Sequence, residues 1–262
     1  MELSIYQVDA FSSNVFAGNP AAVVPLETWL DDSLMQRIAM ENNLAETAFF
    51  VRRPGGGYHI RWFTPNTEVD LCGHATLASA WVVFHQLGFP GSRVEFESRS
   101  GVLGVDREGD LLALDFPSRP PRQVQPCEGL LEALGGNPRE VWASRDYLVV
   151  YDSEAEVRAL DPSMRGLMNA DRFAVIVTAR GSSPETDFVS RFFAPRHGVP
   201  EDPVTGSAHS TLIPFWAARL GKTSMTARQV SPRGGVLECE DRGARVRIAG
   251  RAALFLKGTI FV

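Results

Sequence analysis

The chain has 262 residues, with 26 basic and 31 acidic side chains and a net charge of −5. Apolar residues make up 44% and charged residues 22%, enough core-forming content to exclude a disordered chain. The acidic balance, with no basic stripe, excludes a phosphate-tracking nucleic-acid binder. Cys72, Cys127 and Cys239 are odd in number and far apart, so a reducing, cytoplasmic setting is expected rather than a disulfide framework or zinc knuckle. Met1–Asp9 carries acids where a secretory signal carries bases. The longest near-apolar stretch, Ala75–Phe84, is about half a bilayer span, so no membrane partner is expected.

In chain order, Leu3–Val8 alternates as a strand, and Ala21–Val24 follows the turn signal Gly18-Asn19-Pro20. Leu34, Met35, Ile38 and Ala39 have helical spacing behind the capping run Asp31-Asp32-Ser33. Strands are then expected at Thr47–Val51 and Tyr58–Phe63, and an apolar helix at Ala75–Leu87 before Gly88. Further strands follow at Val94–Ser98, Gly101–Asp106, Leu111–Phe116, Tyr147–Tyr151, Arg172–Thr178 and Asp187–Phe193. A second apolar helix, Ala208–Leu220, ends at Gly221, ahead of strands at Val236–Cys239, Ala244–Ala249 and Ala252–Val262. Pro117–Pro121 is the expected domain boundary.

The two apolar helices are related. Arg61-Trp62-Phe63-Thr64-Pro65 is echoed by Arg191-Phe192-Phe193-Ala194-Pro195, and Gly73-His74-Ala75 by Gly206-Ser207-Ala208. Each glycine is followed by Leu-Gly, at Leu87-Gly88 and Leu220-Gly221. Arg61 precedes Gly73 by 12 residues, and Arg191 precedes Gly206 by 15. A recurring strand–loop–helix unit would give part of this pattern; four markers in one order point to a duplicated domain. Each copy presents a glycine at a helix start, where free N–H groups and the helix dipole favour an anion. Two such starts would suit one carboxylate-bearing ligand.

The motifs Phe16-Ala17-Gly18-Asn19-Pro20-Ala21-Ala22-Val23, Asn43-Leu44-Ala45-Glu46-Thr47-Ala48-Phe49, Asp70-Leu71-Cys72-Gly73-His74-Ala75-Thr76 and Glu201-Asp202-Pro203-Val204-Thr205-Gly206-Ser207-Ala208-His209 resemble those of the phenazine-biosynthesis PhzF-like isomerases. The resemblance covers nearly the whole chain. It implies an α+β, diaminopimelate-epimerase-like fold: two pseudo-symmetric domains, each a curled, mostly antiparallel β-sheet or barrel around a central helix, with the active site in the cleft between them. The domains are expected at 1–117 and 118–262, with the last strand, about 254–262, able to pack back on the first. The implied activity is a cofactor-independent isomerisation of a small carboxylate or amino-acid-like metabolite, and relatives imply a homodimer.

Carried over position by position, the resemblance makes Glu46 the general acid/base, assisted by His74 and Asp202, with Ser207, Gly73, Gly206 and Asn19 binding substrate. The residues admit plainer roles too. Glu46 sits among Leu44, Ala45, Ala48 and Phe49, where desolvation would raise its pKa and suit it to carry protons, yet a glutamate at a helix–strand corner can simply face water. Asp202 before Pro203 forms turns, Ser207 can be a helix cap, and His74 can be structural; a helix start favours its neutral form.

Cys72 departs from the two-thiol pattern of related epimerases, because its counterpart is Thr205. A hydroxyl is too weakly acidic to complete a thiol pair, so two-base epimerisation is disfavoured. An epimerase or dehydratase using Cys72 as a single thiol, and a non-catalytic carboxylate-binding protein, stand as alternatives. The five histidines form no His-x-x-x-His pair and no metal site is expected; nucleotide-binding and serine-hydrolase motifs are absent.

Overall fold

The computed structural model describes residues 1–262. The chain divides into two compact units, Met1–Asp115 with Ala249–Val262, and Phe116–Ile248. In the first, the elements in chain order are β1 (Glu2–Ala10), β2 (Asn19–Leu26), α1 (Asp32–Asn42), β3 (Glu46–Arg52), β4 (Tyr58–Phe63), β5 (Glu68–Val69), α2 (Gly73–His85), β6 (Arg93–Ser98), β7 (Gly101–Glu108) and β8 (Leu111–Pro117). The second unit holds β9 (Arg122–Gln123), α3 (Leu130–Leu134), β10 (Glu140–Ala143), β11 (Tyr147–Val150), α4 (Glu154–Ala159), α5 (Met164–Leu167), β12 (Val175–Arg180) and β13 (Phe188–Phe193). After it come α6 (His209–Leu220), β14 (Ser224–Gln229), β15 (Gly235–Asp241) and β16 (Arg245–Gly250), and the chain ends with β17 (Ala252–Phe261), which pairs antiparallel with β1.

Strand pairing shows the duplication directly. In the first unit β1–β2 is antiparallel, β2–β3 parallel, β3–β4 antiparallel, β4–β6 parallel and β6–β7 antiparallel. The second repeats that series at β10–β11, β11–β12, β12–β13, β13–β14 and β14–β15. Each sheet is therefore mixed, with antiparallel pairs outnumbering parallel ones, and it stays open where a barrel would close. The long helix falls at the same place in both series, between the fourth and fifth of these strands.

Composition explains where each helix lies. α2 is apolar nearly all round, and every residue from Gly73 to Ala80 is buried, as a helix enclosed by sheet must be. It packs against β1, β2, β3, β6, β7 and β17. α1 has one apolar stripe, Met35, Ile38 and Ala39, and covers the other face of the sheet against Val24, Phe49 and Phe63. β2 and β3, covered on both faces, read as near-continuous apolar runs. In the second unit α6 is the buried helix, while α3, α4 and α5 bring Leu130, Leu134, Val157 and Leu167 onto Val149, Val177 and Val189. No helix is long and apolar enough to cross a membrane.

Local differences from the expected elements have local causes. Asp31 occupies the N-cap of α1 without a side-chain capping bond, and Asp32 instead accepts from Arg61 at 2.8 Å. The strand expected from Arg172 starts at Val175, because Arg172 Nη1 donates to the Ser144 carbonyl at 2.8 Å. α6 is preceded by one 3-10 turn, Gly206–Ala208.

Candidate active site

Three element starts converge in the first unit. Asn19 opens β2, Glu46 opens β3 beside Ala21 of β2, and Gly73-His74 opens α2. The turn into β2 depends on Gly18, which has φ +71°; a Cβ there would lie 2.3 Å from the Ala10 carbonyl oxygen. Glycine is thus required one residue before Asn19, whose side chain is fully buried.

The His74 ring, 5% exposed, lies within this group. Its Nδ1 is 3.2 Å from Asn19 Nδ2 and 3.5 Å from Cys72 Sγ. Its Nε2 is 3.1 Å from Glu46 Oε2. That contact has the distance of an ion pair without the alignment of a hydrogen bond. Burial alone would discharge the ring; the facing Cys72 sulfur and Glu46 carboxylate overcome it and hold His74 well above the ordinary imidazole value. Burial, reinforced by the Glu46 charge, pushes the Cys72 thiol up to about 11 despite His74 nearby. Cys72 is therefore held as a thiol at neutral pH, and Glu46 is the carboxylate that draws the His74 pKa upward. The helix start, which favours the neutral imidazole, is opposed here by that carboxylate.

The matching positions of the second unit are built differently. Thr205 stands where Cys72 does, and its hydroxyl donates to Asp202 Oδ2. Gln229, fully buried on β14, clamps the same loop. Its Oε1 accepts the Thr205 N–H at 2.8 Å, and its Nε2 donates to the Asp202 carbonyl at 2.7 Å and to Thr205 Oγ1 at 3.2 Å. Gly206 is buried and Ser207 half-buried at the helix start. His209 follows as a structural histidine, with Nδ1 2.9 Å from the Thr205 carbonyl and burial lowering its pKa to about 4. In the first unit Thr76 makes the same kind of bond, from Oγ1 to the Cys72 carbonyl at 2.5 Å.

An arginine sets each loop. Arg61 grips Glu68 through Nε and Nη2 at 2.7 and 2.8 Å; Arg191 grips Glu201 in the same way at 2.7 and 2.9 Å. Both glutamates precede the helix glycine by five residues, so the three extra residues of the second copy lie between arginine and glutamate. Such forked pairs fix orientation as well as charge.

The whole-chain pattern has a counterpart among known proteins. Residues 8–258 match the model of the PhzC-PhzF family, described as phenazine biosynthesis-like protein. The chain belongs to this family. A relative in Pseudomonas aeruginosa, named as an uncharacterised isomerase, is 56% identical over 260 residues, covering 99% of both chains. The crystal structure of an Enterococcus faecalis PhzF-family protein matches at a TM-score of 0.97 with 46% identity, covering 100% of both chains. A hydroxyproline epimerase from Agrobacterium vitis, 10% identical with a TM-score of 0.62 over 99% of this chain and 92% of its own, shares the fold.

Of the residues singled out from sequence, Asn19, Glu46, Cys72, Gly73 and His74 come together in the first unit. Asp202, Gly206 and Ser207 lie along one loop and helix start in the second. Sequence reasoning missed Gln229, Glu68 and Glu201. The two glutamates carried a signal, their equal distance from the two helix glycines. Gln229 carried none, because its strand, Ser-Met-Thr-Ala-Arg-Gln, has a buried face of Met225, Ala227 and Gln229 and so lacks apolar alternation.

Proposed function

We propose that this member of the PhzC-PhzF family is a cofactor-independent isomerase in which Glu46 moves a proton between two carbons of a small, conjugated carboxylate or amino-acid-like substrate. The observation that carries this reading is the Glu46–His74 pair, a half-buried carboxylate at the start of β3 against a buried imidazole at the start of α2. Glu46 takes a proton from the substrate's C–H bond, and the electron pair left behind spreads towards the substrate's carboxylate. The same carboxyl then returns the proton at the far end of the conjugated system, so no net charge or atom is gained. His74, charged beside Glu46, steadies the negative charge that builds up during transfer. The Gly73 N–H and Asn19 contribute neutral donors, and the family resemblance assigns an assisting role to Asp202 and substrate binding to Ser207 and Gly206.

The same observations weigh against Cys72 as the base. Its thiol is protonated at neutral pH, and the Thr205 hydroxyl is engaged by Asp202 and Gln229. The test is solvent-deuterium incorporation into a panel of small unsaturated and amino carboxylates of the dihydro-hydroxyanthranilate type. Wild-type protein is expected to label one of them at carbon. Glu46→Gln, folded by circular dichroism and still binding that compound, is expected to label none; unimpaired exchange in that variant refutes the assignment.

A further inference from the structure

Glu46, Cys72 and His74 form a group with no counterpart in the second unit. Their ligating atoms, a carboxylate oxygen, a thiol sulfur and an imidazole nitrogen, lie within 4.8 Å of one another. The Cys72 Sγ to His74 Nδ1 separation is 3.5 Å. Two ligands of one tetrahedral zinc, with Zn–S near ~2.3 Å and Zn–N near ~2.0 Å, stand about 3.5 Å apart. Independently, Glu46 Oε2 is buried and meets His74 Nε2 at 3.1 Å without a directed hydrogen bond, so a cation would take up a carboxylate oxygen that no hydrogen bond holds in place.

We propose that this triad is a binding site for zinc or another thiophilic divalent cation, and that the cation acts as a reversible inhibitor. Sulfur and nitrogen ligands select zinc, cobalt or cadmium over magnesium and calcium. On binding, the Cys72 S–H bond breaks, its proton leaves to solvent and the sulfur bonds to the metal; nothing is oxidised or reduced. His74 gives the metal its Nδ1 lone pair, any proton on that nitrogen leaving to solvent and the 3.2 Å contact with Asn19 being broken. Glu46 completes three protein ligands, with a fourth position open to water. A metal-bound Glu46 carboxylate cannot take a proton from carbon. The inhibitory consequence thus rests on the function proposed above, whereas the binding site does not.

The experiment uses the full-length, metal-free protein titrated with zinc chloride by calorimetry and with cobalt chloride by absorption. One equivalent of each per chain is expected, with a thiolate-to-cobalt charge-transfer band. Cys72→Ser, chosen to keep side-chain size and fold, should abolish that band and weaken zinc binding at least tenfold. Glu46→Gln should weaken zinc binding while leaving the band, and Cys127→Ser should change neither. Magnesium at the same concentration should not displace cobalt. No stoichiometric binding, or binding that survives both Cys72→Ser and Glu46→Gln, overturns the proposal. If zinc fails to bind while Glu46→Gln still abolishes deuterium exchange, the site is refuted and the function stands. If zinc binds as described but Glu46→Gln exchanges normally, the site stands and the function is refuted.

Discussion

The two helix starts share a backbone and differ in what they can do with a proton. Aligning Thr47↔Phe63 with Val175↔Phe193 places Ala174 opposite Glu46, and aligning Ala22↔Thr47 with Tyr147↔Val175 places Ser144 opposite Asn19. Thr205 and Ser207 replace Cys72 and His74. The first copy therefore concentrates a carboxylate, an imidazole and a thiol within 4.8 Å of one another. The second ties its carboxylate, Asp202, to the Thr205 hydroxyl, and the Gln229 amide holds both residues in fixed hydrogen bonds. Duplication supplied two equivalent scaffolds, and proton-carrying chemistry was built on one of them.

The largest effect separates the copies by chemistry. Glu46→Gln should lower turnover by roughly 10²–10⁴-fold, the usual contribution of a general acid/base. Ser207→Ala in the second copy should cost only about tenfold, the loss of one neutral donor. Steady-state rates on the responding substrate compare them directly, and similar losses would end the distinction.

The next contrast is between the paired arginines. Arg191 is 10% exposed and also donates to the Val157 and Leu160 carbonyls at 3.1 and 2.7 Å. Arg191→Met should destabilise the protein by about 3 kcal/mol, because Glu201 is left buried without its partner. Glu68 keeps Arg99 at 2.9 Å, so Arg61→Met should cost about half as much. Urea unfolding midpoints measure both.

The two buried histidines should respond to pH with opposite sign. His74 has a raised folded pKa, so its contribution is fully present below the unfolded value of 6.5 and is lost as pH rises through the folded value. His209 is lowered to about 4, so its unfolded form takes up the proton first. Stability is lost as pH falls from 6.5 to about 4, by about 3 kcal/mol in all. His209→Asn should flatten the acid side of the stability profile in urea titrations; an unchanged slope would remove His209 as its cause.

The smallest effect sharpens the second copy alone. Gln229→Leu leaves the Thr205 N–H and the Asp202 carbonyl without their partner and should cost about 2 kcal/mol. An unchanged urea unfolding midpoint for Gln229→Leu would show that the loop does not depend on this clamp.

The repeat was legible in sequence because it rests on residues that geometry leaves little freedom to change. Gly18 must lack a Cβ at the turn into β2, and Arg61 and Arg191 must fork onto a glutamate. The apolar circumference of α2 announced a helix enclosed by sheet. What escaped were features set by tertiary contact. Gln229 is buried because a loop distant in sequence needs its amide, and β10 and β14 are too short or too polar for alternation to show. The upward shift of the His74 pKa escaped as well, since it draws on the Glu46 carboxylate 28 residues earlier in the chain and not on the helix start beside it.

The central claim is that one carboxyl carries the hydrogen from carbon to carbon. A substrate deuterated at the donating carbon and turned over once in ordinary water tests it most directly. A single Glu46 shuttle predicts measurable deuterium at the receiving carbon, in competition with solvent exchange. Complete washout in a single turnover, together with full activity of Glu46→Gln, would contradict it.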